Sequence, residues 1–390
     1  MPNPVVYTAT KILYRFRNRF KINNHFIRNE LKNAKGPAIV LCNHVSSFDH
    51  VADSCATLRH MNFVVAESTY YSKFHFLLKA IRVITKQQFF SVPSEFRQMR
   101  EVIRAGGIIL MFPAGLCTSD GVTTTLPAAT GSFLKFLGTD VYVMMSHGMY
   151  LSNPKWSKVF RKGRVETDCY KLFSREKLAE LSQDEIYQIV DRALQYDEYA
   201  WQKEHRIRYR NMNDSRGLEN VLYSCPHCKT HFSIRNIDNA LVCMNCHRAY
   251  QMDEYGFFRK EAETDMDHPA AWHRKLLDDL RQDTQDAAFQ ARAAVQIREL
   301  NKKTCAFEPI GNGEAVVTRE KIQLFTEGQD PIYEEETNRF FSLPMIPGEY
   351  FDLQNGKTIY RCYPKEPKEV AYITDVIIAL YENRTQNHQG

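Results

Sequence analysis

Apolar residues follow two rhythms along this chain. Between 36 and 215, short runs rich in β-branched residues (38–42, 63–66, 107–111, 141–145 and 163–167) alternate with longer segments (48–59, 71–82, 94–105, 130–137 and 183–198). In the longer segments apolar side chains recur every three to four positions. The first rhythm predicts buried strands and the second predicts helices. Alternation of this kind predicts an α/β domain, a mostly parallel central sheet with flanking helices. In such sheets ligands sit beyond the carboxyl ends of the strands.

Outside that region the pattern changes. Val5 to Ile22 reads as a helix with Val5, Ile12, Leu13, Phe16 and Phe20 near one face. Tyr199 to Leu222 is polar and reads as a helical connector. Residues 268–302 read as a long helix with Leu276, Leu277, Leu280, Phe289, Ala294, Val295, Ile297 and Leu300 as its stripe. From Thr304 onward, short strands are expected at 314–318, 321–325, 338–342, 349–353 and 357–362. Turns at Gly311-Asn312-Gly313 and Gln354-Asn355-Gly356 separate them, and a helix follows from Val370 to Glu382. A small β-barrel-like domain closed by a helix has a topology that resembles pleckstrin-homology or GRAM-like domains. Thr385 to Gly390 are expected to form a disordered tail. The expected divisions are 1–35, 36–215, 216–256, a helical linker at 257–303, and 304–390.

The 390 residues are 44% hydrophobic and 25% charged, an ordinary globular balance, and no apolar run is long enough to span a bilayer. The net charge of +5 is localised. Residues 1–35 hold eight basic side chains and one acid, a net +7, which leaves the rest of the chain at −2. A cationic helix with an apolar side suits the surface of an anionic bilayer; a helix docked on its own domain with a solvated basic face is the alternative. Acidic balance elsewhere, with no stacking platform, argues against nucleic acid. The amino terminus lacks an apolar signal core, so no export is expected.

Ten cysteines include Cys225-Pro226-His227-Cys228 and Cys243-Met244-Asn245-Cys246. Two CxxC knuckles at this separation predict a zinc ribbon, with Cys225, Cys228, Cys243 and Cys246 as four soft ligands closing a structural tetrahedron. The usage also implies a reducing compartment, the cytoplasm.

The first apolar run ends in Asn43-His44-Val45-Ser46-Ser47-Phe48-Asp49. If the chain turns, Asp49 can hold one nitrogen of His44 and leave the other to take a hydroxyl proton. Spacing alone leaves open a loop histidine and a capping aspartate. A later strand ends in Phe112-Pro113-Ala114-Gly115. Together these resemble the NHxxxxD and FPEG blocks of the glycerophospholipid acyltransferase family. Gly148-Met149-Tyr150-Leu151, Pro154-Lys155-Trp156 and Arg161-Lys162-Gly163 resemble a further segment of one bacterial branch.

The resemblance covers about residues 30 to 215 and implies the acyltransferase fold. It further implies acyl transfer from acyl-CoA or acyl-ACP to a hydroxyl of a lysophospholipid, at the cytoplasmic face of a membrane. His44 and Asp49 are then catalytic, with Asn43, Ser47, Phe112, Pro113 and Gly115 binding substrate. Arg82 and Lys86 lie where the family's second block places a phosphate-reading arginine. Two departures bear on the acceptor. Ala114 replaces the family's glutamate, and Leu116-Cys117-Thr118 stands where Thr-Arg-Ser is common, without the arginine that helps hold an acceptor phosphate. Cys117 raises the alternative of an acyl-cysteine intermediate. A catalytically altered lipid- or protein-binding adaptor, using the ribbon and the C-terminal domain, is the rival function.

Overall fold

The computed structural model describes residues 3–89, 92–259, 266–327 and 330–387. Two compact units emerge: residues 1–154 with 160–210, and residues 155–159 with 211–390.

The first unit is built on a seven-stranded sheet: β1 (Asn24–Asn29), β2 (Ala38–Cys42), β3 (Met61–Ala66), β4 (Ile84–Lys86), β5 (Ile108–Met111), β6 (Asp140–His147) and β7 (Val165–Phe173). Their spatial order is β1-β7-β6-β2-β5-β3-β4. The five strands from β6 to β4 are parallel, while β7 runs antiparallel to β6 and carries β1 parallel to itself. Side chains alternate across a strand, and β2 sends Ile39 and Leu41 to one face and Ala38, Val40 and Cys42 to the other. Helices Pro93–Arg104, Thr130–Leu137 and Gln183–Leu194 bury Met99, Ile103, Leu134, Leu137, Ile186 and Val190 on the first face. Both faces of β2 are covered, which is why its sequence is apolar without alternation.

The amino-terminal helix is Pro4–Arg17, followed by a wider turn over Asn18–Ile22 that ends at left-handed Asn23. The segment 1–35 is therefore not separate from the domain, since β1 pairs with β7 inside it. Of the expected helix at 71–82 only His75–Ala80 is helical, and a separate short helix, Glu67–Tyr70, precedes it. The connector at 199–222 keeps only Glu198–His205 as α-helix.

In the second unit, β8 (Ile234–Ile237), β9 (Ala240–Cys243) and β10 (Ala249–Gln251) form a small antiparallel sheet. Asp238 and Asn239 join β8 to β9 with φ of 49° and 65°, the left-handed pair that a two-residue hairpin needs. The helix expected over 268–302 stops early. It spans Pro269–Asp283, and Gln290–Asn301 is instead strand β11. Ala291, Ala293, Val295 and Ile297 are buried at every second position, a strand period, and Ala294 between them disguises it.

Six more strands complete an antiparallel sheet: β12 (Ala306–Thr318), β13 (Lys321–Thr326), β14 (Tyr333–Glu336), β15 (Met345–Ile346), β16 (Tyr350–Asn355) and β17 (Thr358–Pro364). The order β14-β13-β12-β11-β17-β16-β15 leaves β14 and β15 unpaired with each other among the described residues, so it is an open sheet and not a closed barrel. The strand expected at 338–342 is displaced to β14, and Thr337–Arg339 is a 3₁₀ turn. The last helix, Glu369–Asn387, takes in part of the expected tail. Residues 260–265 of the expected linker and 388–390 of that tail lie outside the described residues.

Candidate active site

The parallel β2 delivers Asn43 and His44 to the carboxyl edge of the sheet. The Asn43 amide donates to the Ser146 carbonyl at 3.0 Å and its oxygen accepts from the Ser146 N–H at 2.9 Å. Both polar atoms clasp β2 to β6 where their ladder ends, so Asn43 braces the start of the loop that carries His44.

Past it the chain turns sharply, because Asp49 Oδ2 collects three donors. These are His44 Nδ1 at 2.8 Å, Val45 N–H at 2.8 Å and Ser46 N–H at 2.9 Å. Asp49 is fully buried, whereas the His44 side chain keeps 24% of its surface exposed. A carboxylate on Nδ1 fixes the tautomer and leaves Nε2 as the proton acceptor. Phe112 stacks on the imidazole, with centroids 4.2 Å apart and planes inclined by 22°.

The loop that carries Phe112 follows β5. Gly115 (φ +71°) closes it by donating to the Phe112 carbonyl at 2.9 Å, a left-handed turn that suits glycine. Thr118 N–H donates to the His44 carbonyl at 3.0 Å, tying the two loops together. The structure thus brings together His44, Asp49, Phe112 and Gly115. Pro113 is buried in the same turn, and Ser47 lies exposed within the first loop.

A family-wide sequence model described as Acyltransferase matches residues 21–145, the segment that holds His44, Asp49 and the Phe112–Gly115 turn. Residues 21–145 belong to the acyltransferase family. No curated protein matches the sequence. Among solved structures, the chain is similar to the 1-acyl-sn-glycerophosphate (LPA) acyltransferase PlsC from Thermotoga maritima. The identity is 16%, covering 48% of this chain and 77% of that one, with a TM-score of 0.40. A likeness at that level decides nothing about activity.

Two other expectations about the acyltransferase domain need correction or refinement. Arg82 precedes β4, an exposed residue at φ +53°, and so stands at the amino edge of the sheet, away from His44. Lys86 ends the same strand at the carboxyl edge, where its ammonium lies 3.8 Å from Glu95. Gln88, two residues on, donates to the Gly115 carbonyl at 3.2 Å. Ala114, in the place of the family's glutamate, is buried in the apolar core. A carboxylate there would need partners that this core does not offer.

Sequence reasoning missed the acidic layer beneath the dyad. Asp53, one helical turn after Asp49, is buried, and burial together with the Asp49 charge pushes its carboxyl well above the usual range. Burial likewise pushes Glu198 up to about 8, and one of its oxygens accepts from the Gly148 N–H at 2.6 Å. His50 is pushed down to about 4 by burial and stays neutral.

The amino-terminal helix packs on this layer with its polar side. Lys11 is buried, donating to the Ser54 and Thr57 carbonyls; the second bond is 2.8 Å. Tyr7 donates to the Arg59 carbonyl at 2.9 Å, and Tyr14 meets His50 edge-on at 5.5 Å. The apolar row faces outward instead: Val5, Ile12, Leu13, Phe16 and Phe20 are each more than half exposed. Among the described residues, no helix is long and apolar enough to cross a membrane.

In the second unit Cys225, Cys228, Cys243 and Cys246 gather with their sulfurs within 4.8 Å of one another. The two knuckles repeat one geometry. Lys229 (φ 58°) donates to the Cys225 carbonyl and His247 (φ 60°) to that of Cys243, both at 2.9 Å. Sulfur separations of 3.7 Å and 3.6 Å fit the edges of a tetrahedron with metal–sulfur bonds of about 2.3 Å. The donor set can hold a metal ion.

Proposed function

We propose that this protein moves a fatty acyl chain from a thioester, acyl-CoA or acyl-ACP, to a hydroxyl of a lysophospholipid of the lysophosphatidate type. The observation that carries the reading is His44, half-open at the carboxyl edge of the sheet with Nδ1 held by Asp49 at 2.8 Å. The acceptor hydroxyl gives its proton to Nε2 as its oxygen bonds to the thioester carbonyl carbon. The tetrahedral adduct then collapses, the C–S bond breaks, and the departing thiolate takes the proton back from the imidazolium. Asp49 remains ionised throughout and stabilises that imidazolium, as an acidic partner does in hydrolase triads. A thioester is already activated, so one base and good positioning suffice.

The four clustered cysteines would hold a zinc ion. Four protein thiolates leave no open coordination position, so that ion would supply folding energy and no chemistry. The same reading sets the enzyme on a membrane surface, through the helix Pro4–Arg17. What supports it is the outward apolar row, the exposed Arg15 and Arg19 beside it, and the net +7 of residues 1–35. Apolar contact and attraction to anionic lipid then act together. CxxC knuckles favour the reducing, cytoplasmic side.

The test is an acceptor panel with labelled acyl-CoA and a lipid extract, run with the full chain and with a chain lacking residues 1–22. Acylation of a lysophospholipid is expected, and the truncation should float less with anionic vesicles and lose more activity on embedded than on soluble acceptors. Failure to acylate any panel member with either thioester donor overturns the activity; equal flotation overturns the anchoring.

A further inference from the structure

An acceptor that carries a phosphate needs a cation near His44, because only two carbons and an ester oxygen separate the reacting hydroxyl of a lysophosphatidate from its phosphorus. Arg82 sits at the far edge of the sheet, Lys86 faces Glu95, and the residues after Gly115 are Leu116, Cys117 and Thr118. Two cations from the amino-terminal segment do reach the catalytic loop. Arg17 ends the helix Pro4–Arg17 and Lys21 lies in the turn that follows it. The Arg17 guanidinium lies 5.5 Å from the centre of the Phe48 ring. The Lys21 ammonium lies 4.8 Å from that ring and 5.0 Å from the ring of Phe160. Phe48 is the residue before Asp49, and the two rings meet edge-on at 5.8 Å.

Neither cation has a carboxylate partner among the described residues. Elsewhere in the same unit partners are close: Arg28 to Asp168 at 2.6 Å, Arg164 to Glu166 and Lys171 to Asp140 at 2.7 Å. An aromatic face holds a cation in place without consuming its charge or its hydrogen-bond donors. Partial burial of Arg17 and Lys21 removes some of their water. Two half-dried, unneutralised cations over Phe48, the residue before Asp49, are poised to receive an anion with two or more acceptor oxygens. We infer that Arg17 and Lys21 form the subsite that takes the phosphate of the acceptor lipid. The inference rests on the acyl-transfer reading for its choice of ligand. It gives the amino-terminal segment a second task, selecting the acceptor as well as meeting the bilayer.

The experiment is calorimetric titration of the full-length protein, without acyl donor, using a short-chain lysophosphatidate below its micellar concentration. Lys21→Gln and Arg17→Gln should each weaken binding about tenfold, the loss of one charged contact. Lys21→Arg should retain most of the affinity, and Arg104→Gln, a charge removed from an exposed helix end, should bind as wild type does. A monoacylglycerol of equal chain length should bind all forms alike. The subsite is overturned if the Lys21→Gln, Arg17→Gln double variant binds the lysophosphatidate as wild type does, or if wild type does not prefer it to the monoacylglycerol. No turnover enters the measurement, so a failure of the chemistry and a failure of the subsite give different results.

Discussion

A histidine–aspartate pair is found in each unit, with opposite consequences. In the first, His44 and Asp49 are five residues apart, joined through Nδ1 at 2.8 Å, with the ring partly open. In the second, His273 and Asp375 are 102 residues apart and join the helices Pro269–Asp283 and Glu369–Asn387. There Nε2 contacts both carboxylate oxygens at 3.2 Å, and only 5% and 1% of the two side chains are exposed. The neighbouring Trp272 is fully buried and donates to the Ser224 carbonyl at 2.9 Å. For a histidine beside an acid to act as a base, one ring nitrogen must stay reachable. When Nε2 itself is taken and the ring sealed, the pair is a bolt between helices.

The largest expected effects break the two pairs separately. His44→Ala should lower acyl transfer by about 10²–10⁴-fold, the usual worth of a general base, and leave the melting temperature close to wild type. Asp49→Asn should cost nearly as much, because it frees the tautomer. His273→Ala should do the reverse. It strands a buried acid, costing the second unit about 3 kcal/mol, while kcat per folded molecule is unchanged. Full activity in a well-folded His44→Ala protein, or lost activity with unchanged stability in His273→Ala, would abolish the distinction.

A smaller effect sharpens it from the second unit alone. If the cysteine cluster holds zinc, the purified protein carries about one zinc per chain, and Cys243→Ser removes it. Metal binding of this kind is folding energy, so residues 216–256 should become open to protease, with activity falling only as far as folding does. A chelator that stops acyl transfer without loosening the fold would contradict this division between chemistry and support.

What could be read from sequence follows the same division between local and distant. β2, β5 and β6 are legible because each is an apolar run covered on both faces, and the turn from His44 to Asp49 is legible because it closes within one loop. β1 and β4 escaped, one being the half-polar Asn24-His25-Phe26-Ile27-Arg28-Asn29 on a sheet edge and the other only three residues long. Without β4 in view, nothing in the sequence told Arg82 from Lys86, though they sit at opposite ends of that strand. The approach of Arg17 and Lys21 to Phe48 spans about thirty positions and depends on how the amino-terminal helix docks. That docking is itself inverted, with Lys11 inward and Phe16 outward, which a plot of polarity cannot orient.

The smallest expected effect decides whether the His44–Asp49 pair works alone or as the base of a three-residue device. Cys117 lies one residue from Thr118, whose N–H holds the His44 carbonyl, so a thiol close to the dyad invites a covalent route. Its sulfur is half-buried and lies 3.8 Å from the Thr118 carbonyl oxygen. Nucleophilic attack by sulfur needs the thiolate, and so a base to form it. Direct attack by the acceptor hydroxyl uses His44 as its base and needs no second nucleophile. Cys117→Ser should therefore keep activity within about twofold, against the much larger loss expected for removing a nucleophile. Mass spectrometry of wild type mixed with donor alone should find no acyl adduct. An adduct on Cys117, or a loss as deep as that of His44→Ala, would move the first proton transfer from the acceptor hydroxyl to the thiol and make His44 the activator of Cys117.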